Sequence, residues 1–314
     1  MKIVVLEPLG VEESQLRSML EAAVGPENQV VCCPDRAEDV PTLIQRSQDA
    51  DVVVLSNFRY GREVMSHCPN LKLVCVAFTG VDHVDLEYCK ERGIAVCNCS
   101  GYATVAVAEL TWGMILELCR SLRACDKAVR NGGTKAGLVG FEVAGKTLGV
   151  VGCGAIGSQV ARLGQAFGCR VLAFNRSPIS LPGVEQVSLE ELLRQSDIVS
   201  LNVPQTPETV GLINAETLSW MKPSALLINT ARGPVVDSAA LAAALREGRL
   251  AGAGIDVFEM EPPVPGDHPL LDAPNLLLTP HVAFATRESM VKRADIVCDN
   301  LRSWLDGALK NRIC

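Results

Sequence analysis

The sequence contains no hydrophobic run long enough to cross a membrane, although 48% of its 314 residues are hydrophobic. It has no stripe of basic residues and a formal net charge of −7, which argues against a nucleic-acid partner. The first apolar run, residues 1–8, is too short and too soon interrupted for a signal peptide and is typical of a first strand. These absences predict a chain with a sizeable core and with neither a membrane nor a nucleic-acid partner.

The 13 cysteines include no Cys-x-x-Cys pair, which argues against a zinc ribbon or a thioredoxin-like site, and we predict no metal site. Cys75, Cys97, Cys119 and Cys169 lie in apolar stretches, where an unpaired cysteine behaves as a small hydrophobic residue. Because no secretion signal is visible, we expect reduced thiols and a cytoplasmic location. A disulfide-bonded protein is the less favoured alternative.

Short apolar runs alternate with helical patterns, as is typical of α/β proteins with parallel sheets. The predicted strands of the first half are residues 3–6, 29–33, 51–56, 73–77 and 95–98. The pattern restarts at Leu148, with strands at residues 171–174, 198–203, 225–229, 252–256 and 276–279. We therefore predict two Rossmann-like or flavodoxin-like, doubly wound parallel-sheet domains with a cleft between them. Their expected bounds are residues 1–100 plus 286–314 for substrate binding and residues 101–285 for the dinucleotide.

Four helical stretches stand out, at residues 12–23, 40–47, 102–120 and 286–306. The third carries an apolar stripe and suits a core helix, a linking helix or a dimer contact; the stripe is Ala103, Val107, Leu110, Met114 and Leu118. The last stretch is expected to pack on the first domain. Residues 261–269 are rich in proline and are predicted to form a loop.

A glycine-rich motif follows the apolar run of residues 147–151 and precedes a helical pattern. In this G-x-G-x-x-G motif, Gly152 would allow a tight turn, Gly154 would let the backbone approach a pyrophosphate, and Gly157 would let the helix pack on its strand. The N–H groups at the start of the helix would face the phosphates. The context favours dinucleotide binding over a purely structural glycine turn.

Charged residues follow three predicted strands of the second half. Arg232 follows residues 225–229, Asp256 ends the strand of residues 252–256 and Glu261 follows it, and His281 follows residues 276–279. Ligands of open α/β sheets bind at the carboxyl ends of the strands, so we expect these side chains at one site. Singly, Arg232 could be a surface arginine and each acid an ordinary solvated group. A guanidinium near such a site is suited to bind both oxygens of a carboxylate.

Only four histidines occur, so each can be considered as a proton donor. His67 and His268 are expected to be exposed. His83 lies near a candidate substrate loop and is a weaker candidate for a catalytic role. His281 is favoured because it follows a strand of the dinucleotide-binding domain.

Taken in order, four motifs resemble those of the D-isomer-specific 2-hydroxyacid dehydrogenase family. They are G-x-G-x-x-G, T-A-R-G at residues 230–233, D-V-F-x-x-E-P at residues 256–262 and P-H at residues 280–281. Residues 79–86 and 101–109 extend the resemblance over nearly the whole chain. The segments around residues 77–85 and 280–286 look most like the glycerate dehydrogenase branch, which includes hydroxypyruvate and glyoxylate reductases. That branch commonly has tryptophan where this chain has Phe284.

The resemblance implies an NAD(P)-dependent oxidoreductase that interconverts a small 2-keto acid and its D-2-hydroxy acid, with Arg232, Glu261 and His281 as the catalytic set. Reduction needs a hydride on the carbonyl carbon and a proton on its oxygen. A histidine suits the proton transfer because its unperturbed pKa is about 6.5. Glu261 would favour the protonated imidazole and hold the ring, and Arg232 would bind the substrate carboxylate. The predicted substrate-binding residues are Thr79, Gly80, Val81, Arg232 and His281.

The second strand after the glycine motif ends without the acidic residue that usually binds the ribose of NAD. Asn175 would not repel a 2′-phosphate, and Arg176 and Ser177 could bind one, so we predict that NADP is preferred over NAD. The alternative is that Arg176 points to solvent and that NAD is accepted. The predicted cofactor-binding residues are Gly152, Gly154, Ala155, Ile156, Gly157, Asn175, Arg176, Ser177, Val203, Pro204, Thr230, Ala231 and Asp256.

A second class of function stays open. Some proteins that resemble this fold are NAD(H)-sensing binding modules without catalysis, and such a role would not require Arg232, Glu261 and His281 together. Their joint presence favours an enzyme. The resemblance and the apolar stripe of residues 102–120 also predict a homodimer.

Overall fold

A computed structural model describes all residues from 1 to 314 and divides the chain into two compact units. Unit 1 comprises Met1–Ala103 and Ala285–Cys314, and unit 2 comprises Thr104–Phe284. Each unit holds one wholly parallel sheet whose strands alternate with helices, which confirms the predicted fold class of two parallel-sheet α/β domains. None of the helices has both the length and the apolar character that crossing a membrane requires.

The sheet of unit 1 has the strand order β2-β1-β3-β4-β5, which is the flavodoxin-like order. Its strands are β1 (Lys2–Val5), β2 (Gln29–Cys32), β3 (Val52–Leu55), β4 (Leu73–Val76) and β5 (Ala95–Asn98). Its helices are α1 (Glu13–Val24), α2 (Val40–Ser47), α3 (Arg62–Met65), α4 (Leu86–Arg92) and α11 (Arg287–Leu305). Strands β3 and β4 are buried along their whole length, as expected for continuous apolar runs inside a parallel sheet. Helix α11 packs against α1.

The sheet of unit 2 has the strand order β12-β11-β10-β9-β6-β7-β8. Its strands are β6 (Thr147–Val151), β7 (Arg170–Phe174), β8 (Val184–Gln186), β9 (Ile198–Leu201), β10 (Leu226–Asn229), β11 (Gly252–Ile255) and β12 (Leu276–Leu278). Its helices are α5 (Thr104–Arg120), α6 (Leu122–Arg130), α7 (Ala155–Ala166), α8 (Leu189–Gln195), α9 (Ala215–Ser219) and α10 (Ser238–Arg246). The strand order reverses between β6 and β9, which is where dinucleotides bind in doubly wound sheets.

The apolar stripe of α5 is part of the core of unit 2. Met114 is buried there, and Leu110 and Leu118 pack against the same cluster. The stripe therefore forms part of a core face, which was one of the alternatives that the sequence suggested, and its role as a dimer contact stays a prediction. The exposed apolar side chains that follow α5 in the chain are Leu122, Val129, Val139 and Phe141.

Candidate active site

The glycine loop lies at the carboxyl end of β6, beside the reversal in strand order. Gly152 has φ 91°, a left-handed conformation that only glycine adopts without strain, and a Cβ at Gly157 would overlap the Gly152 carbonyl oxygen. A Cβ at Gly154 would meet no atom of the protein within 4 Å. Because no side chain caps the start of α7, its first N–H groups are available to an anion. This cradle fits the pyrophosphate of a dinucleotide.

The segment after β7 is held by hydrogen bonds that involve two amide side chains. Asn175 Oδ1 accepts from Cys153 N at 3.2 Å, and Asn175 Nδ2 donates to the Ser177 carbonyl oxygen at 2.9 Å. Gln186 Nε2 donates to the Asn175 carbonyl oxygen at 3.1 Å. Asn175 therefore ties its segment to the glycine loop, while Arg176 and Ser177 are exposed beside it.

Asn229 shapes the turn after β10 and was not among the residues predicted from the sequence. Its side chain is buried, accepts from Ala231 N at 3.0 Å and donates to the Arg232 carbonyl oxygen at 2.9 Å. Thr230 exchanges a hydrogen bond with Thr111 of α5 at 2.9 Å. The signal for Asn229 in the sequence was a polar residue at the end of an otherwise apolar strand.

Arg232 is half-buried, and its Nη1 donates to the Ala231 carbonyl oxygen at 2.8 Å. The next residue, Gly233, leaves no room for a side chain, because a Cβ there would overlap the Phe258 carbonyl group. That close approach places the Arg232 segment against the acid loop, residues 257–269, which follows β11 and carries Glu261. The T-A-R-G motif thus requires its glycine for packing.

His281 and Glu261 form an ion-pair contact at the carboxyl ends of β12 and β11. His281 Nδ1 lies 2.9 Å from Glu261 Oε2 and 3.0 Å from Oε1. The imidazole side chain is 13% exposed and the carboxylate 39%. The ring of Phe284 meets the imidazole edge-on, with 5.4 Å between the ring centroids. With Nδ1 bonded to the carboxylate, the tautomer assigned to a neutral His281 carries its proton on Nδ1.

Asp256 holds the segment that presents His281. The residue has no exposed surface; its Oδ1 accepts from Thr279 Oγ1 and from Val282 N, and its Oδ2 accepts from Ala283 N. Burial raises the pKa of Asp256, although these hydrogen bonds and the charge of His281 act against the rise. The contacts fix a segment in which His281 itself has the unusual φ of 55°. The contact of Asp256 with a nicotinamide carboxamide stays a prediction.

The other three histidines differ in their surroundings. His67 is exposed, as expected, and His83 is half-buried in unit 1. The expected exposure of His268 was wrong, because its side chain is only 6% exposed and bonds Glu259 at 3.0 Å. Proline-rich loops are usually solvated, but this one is anchored in the core of unit 2 by Leu270.

Arg232, Glu261 and His281 follow the neighbouring strands β10, β11 and β12 at one edge of the sheet, and Glu261 and His281 are in direct contact. Val203 and Pro204 follow β9 at the same edge of the sheet. Thr79, Gly80 and Val81 follow β4 in unit 1, where Asn98 Nδ2 donates to the Thr79 carbonyl oxygen at 2.7 Å. Their binding of substrate stays a prediction.

Comparisons with known proteins identify the family of the chain. The family model described as "D-isomer specific 2-hydroxyacid dehydrogenase, NAD binding domain" matches residues 112–283, more than half of the chain. The chain belongs to this family. A glyoxylate reductase of Aeropyrum pernix is 41% identical over 85% of the chain and 83% of its own length. A glycerate dehydrogenase of Methylorubrum extorquens is 40% identical, over 86% of the chain and 87% of its own length.

Among solved structures, an acyclic imino acid reductase in complex with NADPH and D-Arg has a TM-score of 0.92 with this dehydrogenase. It is 29% identical, and the match covers 100% of both chains. The sequence-based prediction of the family is confirmed, as is that of an NAD(P)-dependent oxidoreductase.

Proposed function

We propose that this dehydrogenase reduces a small 2-keto acid, glyoxylate to glycolate or hydroxypyruvate to D-glycerate, and also catalyses the reverse oxidation. The observation that carries the proposal is the contact between His281 Nδ1 and the Glu261 carboxylate, with Arg232 on the neighbouring strand end. The two relatives, named glyoxylate reductase and glycerate dehydrogenase, support this substrate class.

His281 provides the proton. Its Nδ1 is bonded to Glu261, so Nε2 is the nitrogen that delivers a proton to the substrate oxygen during reduction and takes it back during oxidation. The carboxylate stabilises the imidazolium and fixes the ring orientation. Arg232 binds the substrate carboxylate through its planar guanidinium and polarises the keto oxygen. When bound, a reduced nicotinamide supplies the hydride to the carbonyl carbon.

The experiment that tests the proposal is a substrate panel. The protein is mixed with NADPH or NADH and with glyoxylate, hydroxypyruvate, pyruvate or a branched 2-keto acid, and loss of nicotinamide absorbance is followed. We expect turnover with glyoxylate and with hydroxypyruvate to be faster than turnover with pyruvate or the branched 2-keto acid. Tight cofactor binding without turnover on any acid would favour the NAD(H)-sensing module instead, and the complete triad of Arg232, Glu261 and His281 argues against that outcome.

NADPH is proposed as the preferred cofactor, because no acidic side chain follows β7. Asn175 Oδ1 is already occupied by Cys153 N, and the side chains of Arg176 and Ser177 are exposed and available to bind a 2′-phosphate. We expect kcat/KM to be higher with NADPH than with NADH. Replacing Arg176 by Ala should lower kcat/KM for NADPH about tenfold and leave the value for NADH nearly unchanged, since a charge-assisted hydrogen bond is lost. A tenfold preference of the unaltered enzyme for NADH would contradict the proposal.

A homodimer and a reducing cytoplasmic location complete the proposal. Helix α6 buries none of its residues, and apolar side chains follow one of its faces, which supports a contact with a second copy. All 13 cysteines are free thiols, which supports a reducing compartment.

A further inference from the structure

The acid loop carries Glu261, and contacts at its two ends hold it. Near its start, the backbone of Phe258 and Glu259 lies against Gly233. Near its end, Arg246 Nη2 donates to the Pro269 carbonyl oxygen at 3.0 Å, and the following residue, Leu270, is buried in the core of unit 2. Between these two anchors the chain runs through a proline-rich stretch without a helix or a strand.

A buried histidine joins the two ends directly. His268 Nε2 lies 3.0 Å from Glu259 Oε2, and the Phe258 ring meets the imidazole edge-on at 5.5 Å between centroids. His268 Nδ1 accepts from Leu270 N at 3.4 Å, so Nε2 carries the proton and donates to Glu259. This arrangement requires no positive charge on His268.

Glu259 is further held by Ser238, the first residue of α10. Burial acts to raise the pKa of Glu259, but the hydrogen bonds that it accepts from Ser238 and His268 outweigh this effect, and the pKa is lowered. A carboxylate at the start of a helix is also favoured by the helix dipole. Glu259 is therefore ionised at neutral pH and accepts from both neighbours.

We propose that the contact between Glu259 and His268 closes the acid loop and thereby positions Glu261 against His281. His268 is then a positioning residue for the proton transfer. Glu261 is two residues from Glu259 and is the partner of His281. The inference rests on the proposed function, in which His281 is the proton donor. Because Glu261 lies between Glu259 and His268 in the chain, opening this contact loosens the backbone that carries Glu261.

The charged groups around His281 determine how the position of Glu261 affects the stability of the imidazolium. Glu261 lies at 2.9 Å, the buried Asp256 is close enough for its pKa to respond to the charge of His281, and Arg232 follows the next strand but one. Of these, only Glu261 belongs to the acid loop. Displacing Glu261 moves a negative charge away from the imidazole and makes the imidazolium less stable. Because reduction needs the protonated imidazole, its rate should then fall at a lower pH than in the unaltered enzyme.

The test compares His268→Phe, which keeps a ring beside Phe258 but cannot donate to Glu259, with His268→Gln, which retains a donor. His67→Phe, the same exchange at an exposed histidine, is the matched control. For His268→Phe we expect kcat for glyoxylate to fall about tenfold to a hundredfold. The alkaline limb of its pH–rate profile should move to lower pH, while the cofactor Kd and the far-UV spectrum stay unchanged. His268→Gln should restore most of kcat and the pH profile.

Unchanged kcat and pH profile in a folded His268→Phe enzyme would overturn the proposal. So would a loss of kcat with no movement of the alkaline limb, because that result would indicate a merely structural role. An NMR titration of the imidazole of His281 gives a readout without turnover, and with four histidines the ring signals can be assigned by single exchanges. If the unaltered protein reduces no keto acid, the proposed function fails, and the titration still reports whether His268 acts on His281.

Discussion

At the scale of single residues, the chain holds His281 of the candidate site in an unusual backbone conformation. His281 has a positive φ. The buried carboxylate of Asp256 accepts hydrogen bonds from the backbone N–H groups of the two residues that follow His281. The hydrogen bond from His281 N to the Asp256 carbonyl oxygen, at 2.8 Å, adds a further link. The imidazole is thus fixed by its backbone and by Glu261 together, as the proposed role in proton transfer requires.

Replacing His281 by Ala should lower kcat by about 10²–10⁴-fold, since that is the typical contribution of a general acid. Cofactor binding should persist, because the glycine loop lies on a different strand end. Steady-state kinetics with glyoxylate measure the first effect, and quenching of nicotinamide fluorescence measures the second. A variant with a near-normal rate would remove His281 from the mechanism.

Replacing Asp256 by Asn should act through His281. The amide keeps one acceptor oxygen but turns an NH₂ group toward a buried backbone N–H, so one of Val282 N and Ala283 N loses its partner. We expect the free energy of unfolding to fall by about 1–3 kcal/mol and kcat to fall as well. Denaturant unfolding measures the change in stability, and kinetics at one pH measure the change in kcat. Thr279→Val, which removes only the hydroxyl that donates to Asp256, is the comparison and should lower kcat less.

At the scale of elements, the sequence predicts strands well where they are buried on both faces. The observed strands begin and end within two residues of those predicted, because runs such as residues 52–55 and 73–76 are apolar throughout. Strand β8 was missed, since it is a three-residue edge strand with two exposed residues. Helix α6 was also missed, because the break at Ser121, with φ 49°, leaves no glycine or proline to mark it.

The candidate site was predictable for similar reasons. Arg232, Glu261 and His281 each follow an apolar strand, and strand ends in parallel sheets meet at one edge. Asn229 and His268 were not recognised, because their roles depend on burial and on the geometry of the turns around them, which the order of residue types does not reveal. A buried histidine in a proline-rich stretch has no local signature in the sequence.

The glycine motif offers a matched pair of substitutions within one element. A Cβ at Gly157 would overlap the Gly152 carbonyl oxygen, whereas a Cβ at Gly154 would meet nothing within 4 Å. Gly157→Ala should therefore lower the free energy of unfolding by about 1–3 kcal/mol. Gly154→Ala should leave stability unchanged and weaken cofactor binding, since the methyl group would occupy the space left for the pyrophosphate. Thermal unfolding and cofactor titration separate the two; equal stability losses would contradict this reading of the motif.

At the scale of the whole molecule, helix α6 of unit 2 presents an exposed apolar face. Helix α6 buries none of its residues, although Leu122, Cys125 and Val129 follow the i, i+3, i+7 spacing of an apolar face. Leu122 is 54% and Val129 75% exposed, and the segment after the helix adds Val139 at 89%. Exposed apolar side chains grouped in this way indicate a protein contact.

If that contact is with a second copy, Val129→Glu should convert the dimer to a monomer, because a desolvated carboxylate without a partner opposes association. Sedimentation velocity at several concentrations measures the change. Val210→Glu is the matched control, since Val210 is 52% exposed in unit 2 but lies away from α6 in the chain, and it should leave the mass unchanged. A protein that sediments as a monomer before any substitution would show that this surface does not join two copies, whereas a dimer insensitive to Val129→Glu would place the interface elsewhere.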